Sequence, residues 1–376
     1  MKKVAIMKSL QKNRIKVKLF KAMVGFANRL AAIPNKLTPP PFRLLQIGSA
    51  FWLSRALYVA TKLGLADELA DGEKSTTELA KARELDEEHL YRLLRMLAAN
   101  GVFVETAHRV FSNSAMSEYL REAHPDSVRA MILMHNDPVM TAPWFDALEA
   151  GIRSGETPFV RSHGMELYRY MDSDPVFDRL FSGAMESVEA LTGNDYLCDF
   201  DWSHFDRLID VGGSLGSKTV PILHNNPHLH ALVFDRPQVI EGAADYWCQR
   251  NEQALLERMA FVGGDMFEAI PQAASDRDIY MFVGVFHGLG DADVQKMLDK
   301  LKQAFGDKRP TLLVVDAVAA ETGIDPAVAS FDMQMLIGTR GRERTLAEWT
   351  ALFEGACLRI EEVVEVRAFV SFIVVR

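Results

Sequence analysis

One stretch narrows the choice of fold more than any other: FDRLIDVGGSLGSKTVPILHNNPHLHALVFDRP, Phe205 to Pro237. An apolar, β-branched run leads into Gly212 and Gly213. A helix-like segment follows, and a second apolar run closes on Asp235. Strand, glycine turn, helix and strand in that order make a βαβ unit, whose ligand sits outside the carboxyl ends of the strands. Gly212, Gly213 and Gly216 permit backbone angles that other residues avoid and let the chain approach a ligand closely. Asp235 ends the second strand, where a carboxylate can accept both hydroxyls of a ribose.

A dinucleotide fingerprint would read G-x-G-x-x-G. Here the loop reads G-G-S-L-G and lacks the third glycine, which lets the helix pack closely on the strand. The form D-V-G-G-x-x-G, opening on Asp210 and followed by an acid at the second strand end, points instead to S-adenosylmethionine. Gly264, Asp265 and Met266, after the third strand-like run, are then expected to bracket its adenine.

The rest of the chain agrees with an α/β assignment. RLIDVG, HALVFD, MAFVGGD, IYMFVGVFH, TLLVVDAV and a final VEVRAFVSFIVVR read as strands with helical stretches between them, which predicts a parallel sheet covered by helices on both faces. Ahead of this α/β domain (201–376) lies a mostly helical region (121–200), broken at 136–138, 154–158 and 173–175. Its aromatic and sulfur side chains, Met134, Met140, Trp144, Phe159, Met171 and Met185 among them, suit a helical core or the wall of a small-molecule pocket.

Residues 41–120 read as three helices and a β-ribbon (VFVE, then RVFSNS), with a capping box at Ser75 and Glu78. That is a winged-helix pattern, but its recognition segment DEEHLYRLLRML starts acidic. A dimerisation role is expected rather than DNA binding.

Charge supports this. The chain carries −9 overall, while residues 1–40 hold ten basic residues and no acid, so the remainder stands at −19. An acidic body of this kind argues against general nucleic-acid binding. The basic arm (1–40), ended by the prolines at 39–41, reads as a solvated or partner-packed segment. It also leaves a membrane-surface or organelle-targeting role open beside a cytoplasmic location. Cys198, Cys248 and Cys357 lie far apart, which fits a reducing compartment and predicts no metal site. No apolar run reaches the roughly 20 residues of a membrane span.

From about Pro41 onward the sequence resembles the class I methyltransferases of the acetylserotonin and plant caffeate O-methyltransferase type. The motifs that carry the resemblance are LIDVGGSLG, VFDRP, FVGGDMFEAIP, VFHGLGDAD, LLVVDAV, FDMQMLI and GRERTLAEWTALFEGA. The resemblance implies a Rossmann-like domain binding S-adenosylmethionine, a winged-helix dimerisation domain and a homodimer. It implies that Gly212 and Asp235 hold the amino acid and ribose parts of the cofactor, and Asp265 and Met266 its adenine. By the same resemblance His287 is the general base with Asp316 and Glu343 beside it, and Met185, Asp332 and Met333 border the acceptor; Trp144, from the aromatic-rich helical region, is a further substrate-side candidate.

Two departures stand out. The family's basic residue shortly before the histidine is replaced here by Val283 and Gly284, and its His-Asp-Trp reads His287-Gly288-Leu289.

Methyl transfer from a sulfonium needs an oriented nucleophile and exclusion of water. A hydroxyl acceptor also needs a base, which a histidine oriented by a carboxylate supplies. A thioether, such as a methylthio hydroxy acid on the way to dimethylsulfoniopropionate, needs none, and Arg340 or Arg342 could then bind the acid's carboxylate. An oxygen acceptor is the leading expectation. The alternatives are a sulfur acceptor and a non-catalytic cofactor-binding regulator. A nicotinamide oxidoreductase is disfavoured by the glycine spacing.

Overall fold

The computed structural model describes residues 9–376, so the first eight residues of the basic arm lie outside the described ones. The chain divides into two compact units, one formed by residues 26–193 and the other by Asn194–Arg376 together with the N-terminal residues up to Gly25.

In the unit 26–193, helix Pro40–Lys62 starts at the proline cluster, with Pro40 at its first position, where the missing N–H costs nothing. Helix Thr76–Arg83 opens on the expected capping box. Ser75 Oγ accepts from Glu78 N at 3.2 Å, and the Glu78 carboxylate accepts from Ser75 N at 2.8 Å. Helix Glu87–Ala99 follows, capped by Asp86. Strand β1 (Lys74–Ser75) pairs with β3 (Val110–Asn113), which in turn pairs antiparallel with β2 (Phe103–Ala107). Leu79, Leu90, Leu94, Leu97, Phe103 and Phe111 close one core beneath these elements.

A second core gathers Met134, Met140, Phe159, Met171 and Phe177. The sulfur- and aromatic-rich region is thereby split: these side chains are buried, whereas Trp144, Phe145, Met165, Tyr168 and Met185 remain exposed.

The other unit is built on seven strands: β4 (Arg207–Val211), β5 (His230–Asp235), β6 (Met259–Gly263), β7 (Asp278–Val283), β8 (Thr311–Asp316), β9 (Ile360–Glu365) and β10 (Ser371–Val375). Their order is β6-β5-β4-β7-β8-β10-β9. Strands β4 to β8 are parallel, and successive residues feed opposite faces. Leu208, Leu313 and Val315 enter one core, and Ile209, Leu312 and Val314 the other. The order reverses between β4 and β7, the place where open α/β sheets bind ligands.

The expectation of an all-parallel sheet with one last strand is corrected. The final segment forms two strands, and β10 runs antiparallel to both β8 and β9. The five residues between Glu365 and Ser371 are too few for a crossover, so the chain can only turn back as a hairpin.

The sheet unit also takes in residues 9–25. Leu10 and Val17 are buried, Gln11 bridges Phe200, and Lys12 and Lys21 pair with Asp201 and Glu365. No helix among the described residues is long and apolar enough to cross a membrane.

The hairpin turn is anchored by Arg367, whose Nε donates to both carboxylate oxygens of fully buried Asp199 at 3.1 and 3.0 Å. Removing one partner of a buried ion pair leaves the other charge uncompensated. Arg367→Ala is therefore expected to lower the unfolding free energy by about 3 kcal/mol, read from denaturant melts. A loss below about 1 kcal/mol, the range of exposed pairs, would show that water replaces the guanidinium.

Candidate active site

The glycine loop leaves the carboxyl end of β4. Gly212 and Gly216 have φ of 74° and 85°, in the left-handed region that favours glycine. A methyl on Gly213 would overlap the Asp210 carboxylate. Asp210, 1% exposed, accepts from Thr219 Oγ1 at 2.6 Å and so ties the loop to helix Thr219–Asn225.

The loop is also fastened to β5. Gly212 N donates to the Phe234 carbonyl at 2.8 Å, and Ser214 N to Asp235 Oδ2 at 2.8 Å. Asp235 Oδ1 accepts from Arg236 N. Each oxygen keeps acceptor capacity for a ribose hydroxyl. On the other side Gly264 N donates to the Asp235 carbonyl at 2.9 Å, and the Gly264 Cα lies against the Phe234 ring with no room for a Cβ. Asp265 is exposed and caps Phe267 N, while Met266 packs partly into the core. A glycine cradle between two strand ends, with a carboxylate facing it, fits the nucleoside and amino acid parts of S-adenosylmethionine.

His287 lies on a 3₁₀ turn, Phe286–Gly288, just past the end of β7. Gly284, with φ of 62°, turns the chain out of the strand. His287 Nδ1 lies 2.7 Å from Glu343 Oε1, whose side chain is 2% exposed. In the neutral ring Nδ1 carries the proton toward Glu343 and Nε2 keeps the lone pair. Burial works against the charged imidazolium. The hydrogen bond to Glu343 and the charges of Asp316 and Glu343 outweigh it, so the pKa lies above the ordinary 6.5. Asp316 ends β8 and is buried. Desolvation, opposed by the His287 charge and reinforced by Glu343, pushes its pKa up to about 7. Asp316 Oδ2 and Glu343 Oε2 have no hydrogen-bond partner.

The expected residues therefore fall into distinct groups. His287, Asp316 and Glu343 form one cluster, and Asp210, Gly212, Gly213, Gly216, Asp235 and Gly264 form the cradle. Asp332 is engaged within the sheet unit, accepting from Glu343 N at 2.8 Å, and Met333 lies on the same helix, Pro326–Gly338. Trp144 and Met185 belong to the other unit and are each 38% exposed. Arg342 pairs with Asp291 at 2.7 Å and Glu348 at 3.1 Å, so neighbouring carboxylates already occupy it. Two residues that sequence reasoning passed over are Arg344 and Asp291. Arg344 was inside the quoted GRERT motif, but nothing in sequence marks a buried arginine.

Comparison with known proteins identifies the family. Residues 145–359 match the O-methyltransferase domain and residues 45–122 the O-methyltransferase dimerisation domain. The chain is 31% identical over 350 residues to the phenazine O-methyltransferase of Lysobacter antibioticus, covering 93% of this chain and 98% of that protein. It is 32% identical to the 8-amino-8-demethylriboflavin N,N-dimethyltransferase of Streptomyces davaonensis, covering 84% and 89%. The solved structure of the mitomycin 7-O-methyltransferase superposes with a TM-score of 0.80 at 30% identity, over 93% of this chain and 99% of that one. The chain belongs to the O-methyltransferase family, and it is an S-adenosylmethionine-dependent methyltransferase of small molecules with the dimerisation domain that accords with the expected homodimer.

Proposed function

We propose that this methyltransferase acts on a hydroxyl oxygen of an aromatic, ring-fused small molecule, with His287 as general base. The observation that carries this reading is the 2.7 Å contact between His287 Nδ1 and buried Glu343, just beyond the end of β7. A carboxylate on Nδ1 fixes the ring's orientation and tautomer and strengthens Nε2 as a base. Asp316 adds to the field that stabilises the imidazolium once the proton has moved. Phenazine, mitomycin and flavin compounds, named for the relatives above, are the ground for a ring-fused acceptor.

The cradle Gly212–Gly216 and the Asp235 carboxylate hold the cofactor, and Asp265 and Met266 border its adenine. When bound, S-adenosylmethionine supplies an electrophilic methyl group on sulfur. The protein's own work is to orient the hydroxyl, accept its proton at His287 Nε2 and exclude water. Asp332 and Met333, on helix Pro326–Gly338 of the unit that carries His287, are assigned to the acceptor side.

The sulfur acceptor has no support among the relatives named, which act on oxygen or nitrogen by their names. A thioether would also leave the His287–Glu343 pair without a proton to take.

Asp235→Ala removes the ribose acceptor. Calorimetry with S-adenosylmethionine is expected to show affinity weaker by roughly 1.5–3 kcal/mol. Unchanged affinity in the folded variant would remove Asp235 from the cofactor site.

His287→Ala, assayed with labelled S-adenosylmethionine and a panel of hydroxylated polycyclic aromatics, is expected to lower turnover by about 10²–10⁴. The base must be neutral to act, so wild-type turnover should rise with pH, with a midpoint above 6.5 because the folded-state pKa is raised. A flat wild-type profile together with a variant near full activity would sink the oxygen reading.

A further inference from the structure

The GRERT motif (Gly341–Thr345) supplies Glu343 to the site, but the fate of its other residues points further. Arg344 is 1% exposed and lies beneath the turn that carries His287. Its Nη1 donates to the Phe286 carbonyl at 2.9 Å and its Nη2 to the Leu289 carbonyl at 2.7 Å, so one guanidinium spans the turn from the residue before His287 to the second residue after it. Nε and Nη2 also donate to Asp291 Oδ1, at 3.0 and 2.7 Å, and the guanidinium carbon stands 5.1 Å from the Trp349 ring centre.

Gly341 completes the grip. Its Cα packs on the peptide between His287 and Gly288, where a methyl would overlap the His287 carbonyl oxygen.

We propose that Gly341 and Arg344 form a clasp that sets the His287 ring against Glu343, making Arg344 a positioning residue for methyl transfer. Neighbouring residues of one segment hold the turn from two directions: Arg344 takes the backbone carbonyls and Glu343 takes Nδ1. The segment is itself fixed, since Ala319 N donates to the Arg344 carbonyl and Asp332 accepts from Glu343 N.

A buried guanidinium is strongly unfavourable unless its donors are matched, and here two carbonyls and a carboxylate match them. A lysine carries the same charge but cannot span two carbonyls and an acid with a point ammonium. The groups facing His287 are the Glu343 and Asp316 carboxylates and the Gly284 carbonyl, and the Arg344 charge acts on Asp316.

The part of this inference that concerns turnover rests on His287 being the base; the clasp itself does not. The test therefore reads the ring directly. Full-length protein with isotope-labelled histidine is titrated by NMR, with His287→Ala to assign the signal. Arg344→Lys keeps the charge and loosens the turn. Gly341→Ala wedges the segment off the turn with no change of charge, and serves alone should Arg344→Lys not fold.

In both variants the His287 pKa is expected to fall toward the ordinary value by about half a unit or more, because the contact with Glu343 lengthens. Turnover should drop at least about tenfold, with the KM for S-adenosylmethionine within about twofold. A folded variant with a lowered melting temperature and an unmoved His287 pKa would overturn the clasp. A pKa that moves while turnover stays at the wild-type level would uphold the clasp and remove His287 as the base.

Discussion

Everything at the ligand end of the sheet unit hangs on the buried carboxylate of Asp210. It lies inside the sheet at the end of β4, takes the Thr219 hydroxyl at 2.6 Å and fills the space where a side chain at position 213 would go. A carboxylate in such a place is costly unless hydrogen-bonded, so the loop and the helix after it are held to a narrow set of paths. The loop's own N–H groups then reach across to Phe234 and Asp235, which couples the end of β5 to the same arrangement. Glycine is required at 213 for space and at 212 and 216 for backbone angle, two different physical reasons within one motif.

The groups of the proposed chemistry are assembled along the same edge of the sheet. β7 delivers His287 and β8 delivers Asp316, while Glu343 arrives much later in the chain. Two carboxylates and one imidazole share a nearly dry space. Burial alone would strip the proton from the histidine and keep one on Asp316. The pairing with Glu343 reverses this for the histidine, whereas Asp316 stays near neutrality in its titration. For the proposed base, a raised pKa gives up some availability in exchange for greater strength, and the balance depends on how closely the ring and Glu343 are kept together.

The basic arm shows how charge can mislead. Its lysines do form ion pairs, Lys12 with Asp201 and Lys21 with Glu365, but at exposed positions each is worth little. What joins residues 9–25 to the sheet unit is the burial of Leu10 in its core and the bridge from Gln11 to Phe200. Leu10 is ordinary in sequence, and its burial depends on surfaces contributed by residues near 200 and 360.

Much was legible before any coordinates. Alternating apolar runs, glycines at turn positions and an acid at a strand end are local properties, governed by backbone angle and by period-two burial. They were sufficient to place β4 to β8, the glycine turn after β4 and Asp235 at the end of β5. The capping box at Ser75 was equally local. The motifs, through their resemblance to a family, brought His287 and Glu343 into one list.

Other features had no local signature. Two strands in VEVRAFVSFIVVR, and their antiparallel sense, follow from a connection too short to cross over and from Asp199, far away in sequence, holding Arg367. Arg344 and Arg342 stand two residues apart in the same motif with the same side chain. One is buried under the His287 turn and the other is a surface partner of Asp291 and Glu348. Which arginine goes inside depends on the carbonyls of Phe286 and Leu289, more than fifty residues earlier. The sequence established the elements and the chemical groups because those depend on near neighbours. Folding alone supplied the partners of each charge, because burial and hydrogen bonding depend on residues distant in the chain.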